Sequence, residues 1–313
     1  GVDFLAVAFA DEGVTLREAG ITMPVVVLNA DADSFETMID YRLEPEIYSL
    51  SSLRSFAEAV RRSGETHLPV HIKLDTGMHR LGFTGEQIEA AIAALKETPE
   101  VYVRTIFTHL AGSDEARHDD FTRRQIALFR TWSDRIVAAF PDLRILRHVE
   151  NSAGIERFPE ARFDMVRLGV GLYGIGFDHP ERLLPVSTLR SRIVQIKDIP
   201  EGDTVGYGRH GVAQGHPLRT ATVPIGYADG LDRKLSRGKW SFVVNGRKAP
   251  IVGNICMDTC MIDVTGIEAR EGDEAVVFGE GASVEEMARV LETIPYEVMT
   301  SVSTRVKRIY TKE

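Results

Sequence analysis

Cysteine is scarce in this chain, blocks of basic residues are absent, and no apolar run approaches the roughly 20 residues of a membrane span. Each absence excludes a class. Cys256 and Cys260 are the only two cysteines in 313 residues, close together in one strand-like stretch. They make a poor disulfide framework, so a reducing, cytoplasmic setting is expected. With no further Cys or His cluster in support, Cys256-x-x-x-Cys260 reads as strand packing and no metal site is expected. A net charge of −9 and a pI near 5.6 argue against nucleic acid or an anionic membrane as partner. There is neither an initiator methionine nor a targeting segment: Gly1-Val2-Asp3 leads at once into the apolar run 4–9, as in a chain cut inside a domain.

What is present is enough apolar material, 43% of the residues, for one large domain and a smaller one. Strand-like runs fall at 4–9, 24–29, 46–50, 70–75, 104–110, 146–151 and 165–172. Most are continuously apolar, as in parallel strands covered on both faces. Helical stripes separate them: Ile88, Ala91, Ile92 and Leu95 in one, Phe129, Trp132, Ile136 and Phe140 in another. This repetition means a doubly wound sheet or a (β/α)₈ barrel; a barrel would be one strand short, at the abrupt N-terminus. After Pro185 the pattern becomes strand-rich, at 191–199, 219–226, 239–244, 247–252, 255–264 and 274–278. Asn245-Gly246 signals a tight hairpin. Ser283-x-x-Glu286 opens a single helix as a capping box. The boundary is placed at 185/186.

Polar residues interrupt these runs where parallel strands end, the place where barrels keep their chemistry. They are Lys73 and Asp75, His109, Asn151 and Ser152, and Arg167 with Gly169. The stretch 165–174, MVRLGVGLYG, sets an arginine inside an apolar segment and follows it with spaced glycines. Without a Cβ in the way, their N–H groups can approach an anion. Each residue also has an ordinary explanation: a hydrogen-bonded core histidine for His109, a helix N-cap for Asn151-Ser152. Lys73, in an apolar strand, must be paired or neutral. The nearby cation Arg80 cannot pair with it, so something anionic has to lie between them. His67, His118, His148, His179 and His216 are scattered and read as solvated or local.

The motifs HIKLDTGMHRLG at 71–82, Thr108-His109, Asn151-Ser152-Ala153, the stretch 165–174, Val205-Gly206-Tyr207-Gly208, IGYADG at 225–230, GNICMD at 253–258 and TIPYEV at 293–298 together resemble the alanine racemases. They keep the family's order across nearly the whole chain. The resemblance implies an α/β fold: a (β/α)₈ TIM-type barrel over 1–185, its first strand missing from this chain, then a mostly β C-terminal domain over 186–313. It also implies pyridoxal 5'-phosphate as cofactor, alanine as substrate, D-alanine for peptidoglycan as product and a homodimer as the working form.

Residue by residue, the resemblance implies that Arg167 faces the pyridine nitrogen. A guanidinium donates a hydrogen bond there but hardly a proton, which leaves the ring a weaker electron sink and restrains side reactions. Gly169 and Val170 would offer N–H groups to the phosphate, aided by Ser152 and Tyr296, with Asn151 beside them. Tyr207 would be a catalytic base entering the partner's barrel mouth, its phenol activated by a network containing His109 and Arg167. Tyr227, Met257 and Asp258 would shape the substrate entrance and hold the amino-acid carboxylate. Arg80 would reach the cofactor's phenolic oxygen and that carboxylate. Lys73 is carbamylated in many relatives, which would supply the missing negative charge.

One departure stands out. The family's Schiff-base lysine, which is also the second base of its two-base mechanism, lies on its first barrel strand, and no matching motif occurs here, so the chain is expected to be incomplete for catalysis. In some bacteria this racemase is fused behind a cell-wall peptide ligase, an arrangement compatible with the abrupt N-terminus. The alternatives are a racemase of broader specificity, acting on serine or basic amino acids, and a non-catalytic pyridoxal-phosphate-binding protein; Tyr207 and Tyr227 argue against the second.

Overall fold

The computed structural model describes residues 1–311, which divide into two compact units. Unit 1 comprises Gly1–Gly171 with Gly176–Arg182; unit 2 comprises Leu172–Ile175 and the chain from Leu183 onward.

Unit 1 is a parallel sheet of six strands hydrogen-bonded in chain order: β1 (Leu5–Val7), β2 (Val25–Val27), β3 (Glu44–Ile47), β4 (Leu68–Lys73), β5 (Val101–Phe107) and β6 (Leu146–His148). Helices α1 (Ala10–Glu18), α2 (Phe35–Asp40), α3 (Leu50–Ser63), α4 (Ile88–Lys96) and α5 (Asp119–Ala139) connect them, and α6 (Ser152–Arg157) follows β6. This strand–helix succession in one parallel order is that of consecutive barrel strands. The helices form for local reasons. On α3, Leu53, Phe56 and Val60 share a buried face, Ser49 caps the first turn by accepting the Ser52 N–H at 3.0 Å, and Gly64 ends the last turn in a left-handed conformation. On α4 the stripe Ile88, Ala91, Ile92 and Leu95 is buried as its spacing predicts. Phe35 and Phe56 meet edge to face at 5.1 Å between the helices and the sheet. Each such fully buried side chain stabilises the unit by about 1.5–3 kcal/mol.

Seven strands were expected in this half, and six form. The segment 165–172 is not a strand: it runs beside β6 on two backbone hydrogen bonds, Asp164 N–H to Arg147 C=O and Arg167 N–H to Glu150 C=O, both 3.0 Å, and then turns into a 3₁₀ helix at Val170–Tyr173. The Arg147 N–H is taken by the Asp164 carboxylate at 2.8 Å, so a side chain replaces the backbone partner that would extend a ladder. Strand ends also differ from expectation. β3 starts at Glu44, which places Glu46 inside the strand, and Leu50 belongs to α3.

Unit 2 is built on a seven-stranded antiparallel sheet in the order β7-β15-β12-β13-β14-β11-β8. Its strands are β7 (Leu189–Arg192), β8 (Gln195–Ile199), β11 (Leu218–Val223), β12 (Ser241–Val244), β13 (Arg247–Val252), β14 (Cys260–Asp263) and β15 (Glu274–Phe278); β9 (Thr204–Val205) and β10 (Gly211–Val212) form a separate pair. The Asn245-Gly246 turn joins β12 to β13 with both residues at positive φ, as the hairpin signal predicts. The run 191–199 is broken into β7 and β8, and the run 255–264 contributes only β14, its first part being a turn. Ser283 caps α7 (Val284–Leu291), accepting the Glu286 N–H at 3.0 Å. A second helix, α8 (Pro295–Thr300), follows where one helix was expected. Among the described residues no helix is long and apolar enough to cross a membrane.

Candidate active site

Adjacent parallel strands put residues of like parity on one face, and the face shared by β3, β4, β5 and β6 collects ionisable groups at the strand ends. Glu46 on β3 pairs in register with His71 on β4, so Lys73, two residues on, lies diagonally beyond it. Lys73 Nζ stands 3.7 Å from Glu46 Oε1 and 4.3 Å from the centre of the Phe107 ring, and all three side chains are buried. Burial lowers the Lys73 ammonium to about 8, against the pull of Glu46; Arg167 and Arg80 push it the same way as burial does. Burial raises the Glu46 carboxyl, although Lys73, Arg167 and Arg80 all favour its charged form. Arg80 itself is exposed and has no hydrogen-bond or ion-pair partner among the described residues.

Arg167 is fixed by acceptors. Its Nη1 donates to His148 Nδ1 at 2.6 Å, and its Nη2 donates to the Thr108 carbonyl at 2.8 Å and the Val149 carbonyl at 3.0 Å, with His109 Nδ1 at 3.5 Å. Burial lowers the guanidinium to about 10, which still leaves it charged at neutral pH. Since Arg167 can only donate, His148 must accept at Nδ1 and carry its proton on Nε2. That proton faces Thr105 Oγ1 at 3.1 Å; Thr105 in turn bonds His71 Nδ1 at 2.8 Å, and His71 Nε2 bonds Glu44 Oε2 at 2.8 Å. A chain of hydrogen bonds thus fixes the orientation of the arginine from β3 to β6. Burial, reinforced by Arg167, holds His148 well below its ordinary value and His109 down at about 3, so both rings are neutral.

Beside the arginine lies a cradle. Asn151 caps α6 by accepting the Gly154 N–H at 2.9 Å, and so sets Ser152 at the start of the helix. The backbone N–H groups of Gly169 and Gly171 both donate to the Ser152 hydroxyl, at 3.0 and 3.2 Å. A Cβ added at Gly171 would meet the Leu168 side chain at 2.7 Å, whereas at Gly169 the nearest atom is the Ser152 hydroxyl, in ordinary contact at 3.8 Å. Two N–H groups gathered on one hydroxyl oxygen form a cluster of donors of the kind that suits the oxygens of a phosphate. Val170 is buried here, and the second N–H at the serine is that of Gly171.

Unit 1 therefore brings Lys73, His109, Asn151, Ser152, Arg167, Gly169 and Val170 into one region of strand ends. Unit 2 holds its expected residues on its surface. Tyr207 is 73% exposed, between Gly206 and Gly208, both at positive φ, and its carbonyl accepts the Asn254 side-chain amide at 3.0 Å. Tyr227 donates its N–H to the Cys256 carbonyl at 3.1 Å, and Ala228 donates to the carbonyl of Met257 at 3.0 Å, which ties these two turns together. Asp258 and Asp229 share Arg305 at 2.8 and 2.7 Å. Tyr296 lies on α8, partly exposed.

Sequence reasoning missed four residues. His148, expected to be solvated or local, is 5% exposed and is the direct partner of Arg167; its place inside an apolar strand was the available signal. Glu46 was read as the first residue of a strand and is instead buried within one. Phe107 was hidden among core aromatics and carries Lys73 over its ring and His148 stacked at 4.8 Å. The fourth is Glu150, a buried carboxyl with neither oxygen hydrogen-bonded, pushed up to about 7 by burial.

A parallel α/β sheet with ionisable groups gathered at its strand ends, beside a cradle of N–H groups and a hydroxyl, defines the class: barrel-type enzymes that hold a phosphorylated ligand at that end. The alanine racemase N-terminal domain matches residues 1–176, and the alanine racemase C-terminal domain matches residues 186–310. An alanine racemase of Sorangium cellulosum is 40% identical over 327 residues, covering 99% of this chain and 85% of the relative. The crystal structure of alanine racemase from Clostridium difficile 630 superposes with a TM-score of 0.92 at 35% identity, covering 99% of this chain and 82% of that one. That of Bartonella henselae, with covalently bound pyridoxal phosphate, has a TM-score of 0.87 at 30% identity and covers 99% and 86%. The chain belongs to the alanine racemase family.

Proposed function

We propose that the protein interconverts L- and D-alanine with pyridoxal 5'-phosphate, supplying D-alanine for peptidoglycan in the cytoplasm, as a homodimer. The observation that carries this reading is the Arg167 guanidinium, held by His148 and two carbonyls beside the Ser152–Gly169–Gly171 cradle. In this reading residues 1–185 hold the cofactor and 186–313 form the β-rich domain.

When bound, the cofactor supplies an electron sink that acidifies the α-hydrogen of an attached amino acid. Ser152, Gly169, Val170 and Tyr296 hold its phosphate, with Asn151 fixing Ser152. Arg167 donates a hydrogen bond to the ring nitrogen and keeps its own protons, because its pKa, though lowered to about 10, is far above neutrality. His109, neutral with a pKa near 3, adds no charge beside it. Arg80, exposed and without a partner among the described residues, orients the phenolic oxygen and the substrate carboxylate. Tyr227, Met257 and Asp258 border the substrate. Tyr207 would take or deliver the α-proton at its phenolic oxygen on one face of the α-carbon, serving the partner subunit's strand ends; inversion needs a second base on the opposite face, the role the resemblance gives to the family's Schiff-base lysine. Lys73 stays in the network beside Glu46.

Lys73 is engaged by Glu46, and we assign none of this chain's lysines as the one that carries the cofactor covalently. Borohydride reduction in the presence of cofactor, followed by peptide mapping, tests that assignment; a labelled Lys73 overturns it. The activity is tested by proton NMR of alanine in D₂O with pyridoxal phosphate. The α-hydrogen is expected to wash out faster than with free cofactor, and about 10²-fold more slowly in Tyr207→Phe. Washout no faster than with the free cofactor contradicts the proposed function, and washout unchanged in the variant contradicts the role of Tyr207.

A further inference from the structure

Arg80 and Arg167 both act on Lys73 at the strand ends of unit 1, and all three cations act on the Glu46 carboxylate. The two histidines nearby, His109 and His148, are neutral. Three cations in a partly enclosed space repel one another, and a lysine buried among them stays charged only against an anion. Glu46 is placed for that task. It is 2% exposed and lies on the same sheet face as Lys73, and its Oε1, 3.7 Å from the ammonium, accepts no hydrogen bond. An oxygen so buried and so unengaged is costly unless charge holds it there.

We propose that Glu46 is a positioning residue which supplies, as a built-in carboxylate, the negative charge this cation cluster needs, so that Lys73 remains an unmodified ammonium. The proposal rests on the reading of the strand ends as the cofactor site, and departs from the expectation of a carbamylated lysine. Carbamylation would require the neutral Lys73 amine to attack the carbon of CO₂, forming an N–C bond and releasing one proton to solvent. The product would carry a second carboxylate outward from Nζ, into the space beside Glu46 Oε1, with the Phe107 ring closing another side. Two carboxylates at such a distance do not both stay ionised; one must take a proton or move away. Glu46 also stabilises the protonated ammonium, and the protonated form does not react with CO₂.

Removing that carboxylate reverses both effects. In Glu46→Gln the buried Lys73 loses its counter-charge and releases its proton more readily, and no second carboxylate opposes the charge of a carbamate on Nζ. The test is carbon NMR of the protein equilibrated with ¹³C-bicarbonate at neutral pH, with alkylation trapping and peptide mass mapping to locate any carbamate. Wild type is expected to show no carbamate on the Lys73 peptide, and Glu46→Gln is expected to show one, with α-hydrogen exchange that rises on adding bicarbonate where wild type does not respond. A carbamate on wild-type Lys73 overturns the proposal, and this measurement needs no variant to fold. A folded Glu46→Gln that takes up no ¹³CO₂ overturns the claim that Glu46 excludes it. Because the carbamate is read directly, failure here is distinguishable from failure of the proposed activity, which is read by exchange at the α-hydrogen.

Discussion

Within the parallel strands of unit 1, Glu44, Glu46, His71, Lys73, Thr105 and His148 are all buried, whereas Thr220 is the one buried polar strand residue in the antiparallel sheet of unit 2 among the described residues. Unit 2 instead places Tyr207, Tyr227 and Met257 outside, with 73%, 45% and 54% of their surface exposed. The contrast follows from the connections. Parallel strands bring all their C-terminal ends to one side, so polar groups there can satisfy one another across neighbouring strands. An antiparallel sheet reverses direction at each turn and scatters its ends, leaving functional groups to be presented on turns. In unit 1, function and stability therefore share residues; in unit 2 they are separable.

Substitutions in each unit put that contrast to the test. The largest expected effect is that of Arg167→Ala, which removes the donor to His148 Nδ1 and to the Thr108 and Val149 carbonyls. α-Hydrogen exchange should fall by about 10³-fold, and denaturant titration should show a loss of about 3–5 kcal/mol. A variant as stable as wild type would contradict the shared role. Phe242→Ala, at a fully buried position on β12, should cost about 3–5 kcal/mol while exchange per folded molecule stays unchanged. Reduced exchange at full folding would show that the unit 2 core is not separable from function.

Glu150→Gln gives a smaller effect, conditional on pH. The folded carboxyl is pushed up to about 7 by burial, countered in part by Arg162 and Arg167 and reinforced by Glu160, while an unfolded glutamate titrates near 4.3. Between those values the folded protein binds more protons than the unfolded one, so stability is present in full below the unfolded value and is lost as pH rises through about 7. The advantage of the variant over wild type should be larger at pH 8 than at pH 5. Comparing the two proteins at each pH cancels the opposite contribution of Lys73, whose folded pKa, lowered to about 8, makes stability rise with pH above that value. The smallest effect on stability is expected for Tyr207→Phe: within about 0.5 kcal/mol, despite the loss of exchange. A large loss of stability there would mean that the tyrosine is structural.

Much of this contrast was legible in the residue pattern. The apolar runs of β2 and β4 announced parallel strands, the glycines after Arg167 announced a cradle, and the stripe of α4 marked its buried face, whereas of the second stripe only Phe129 and Ile136 are buried on α5. What stayed hidden depended on register. Glu46 became interior because β3 begins at Glu44, and the position of a strand's first residue is not encoded in its apolar residues alone. His148 looked like any isolated histidine until the fold set Arg167 against it, 19 positions along the chain. The segment 165–172 has a strand's composition, but the Asp164 carboxylate occupies the Arg147 N–H and the glycines turn the backbone, so a loop forms instead. The anion required beside Lys73 could be inferred as a need; its source, one strand away, could not.

In the proposed function, the Arg167 network and the Ser152 cradle form one cofactor site. A crystal structure of the protein grown with pyridoxal phosphate tests it most directly. The account predicts the phosphate among the Ser152 hydroxyl and the N–H groups of Gly169 and its neighbours, with the ring nitrogen toward Arg167. Density for the cofactor anywhere else, with this cradle still closed on itself, would contradict it.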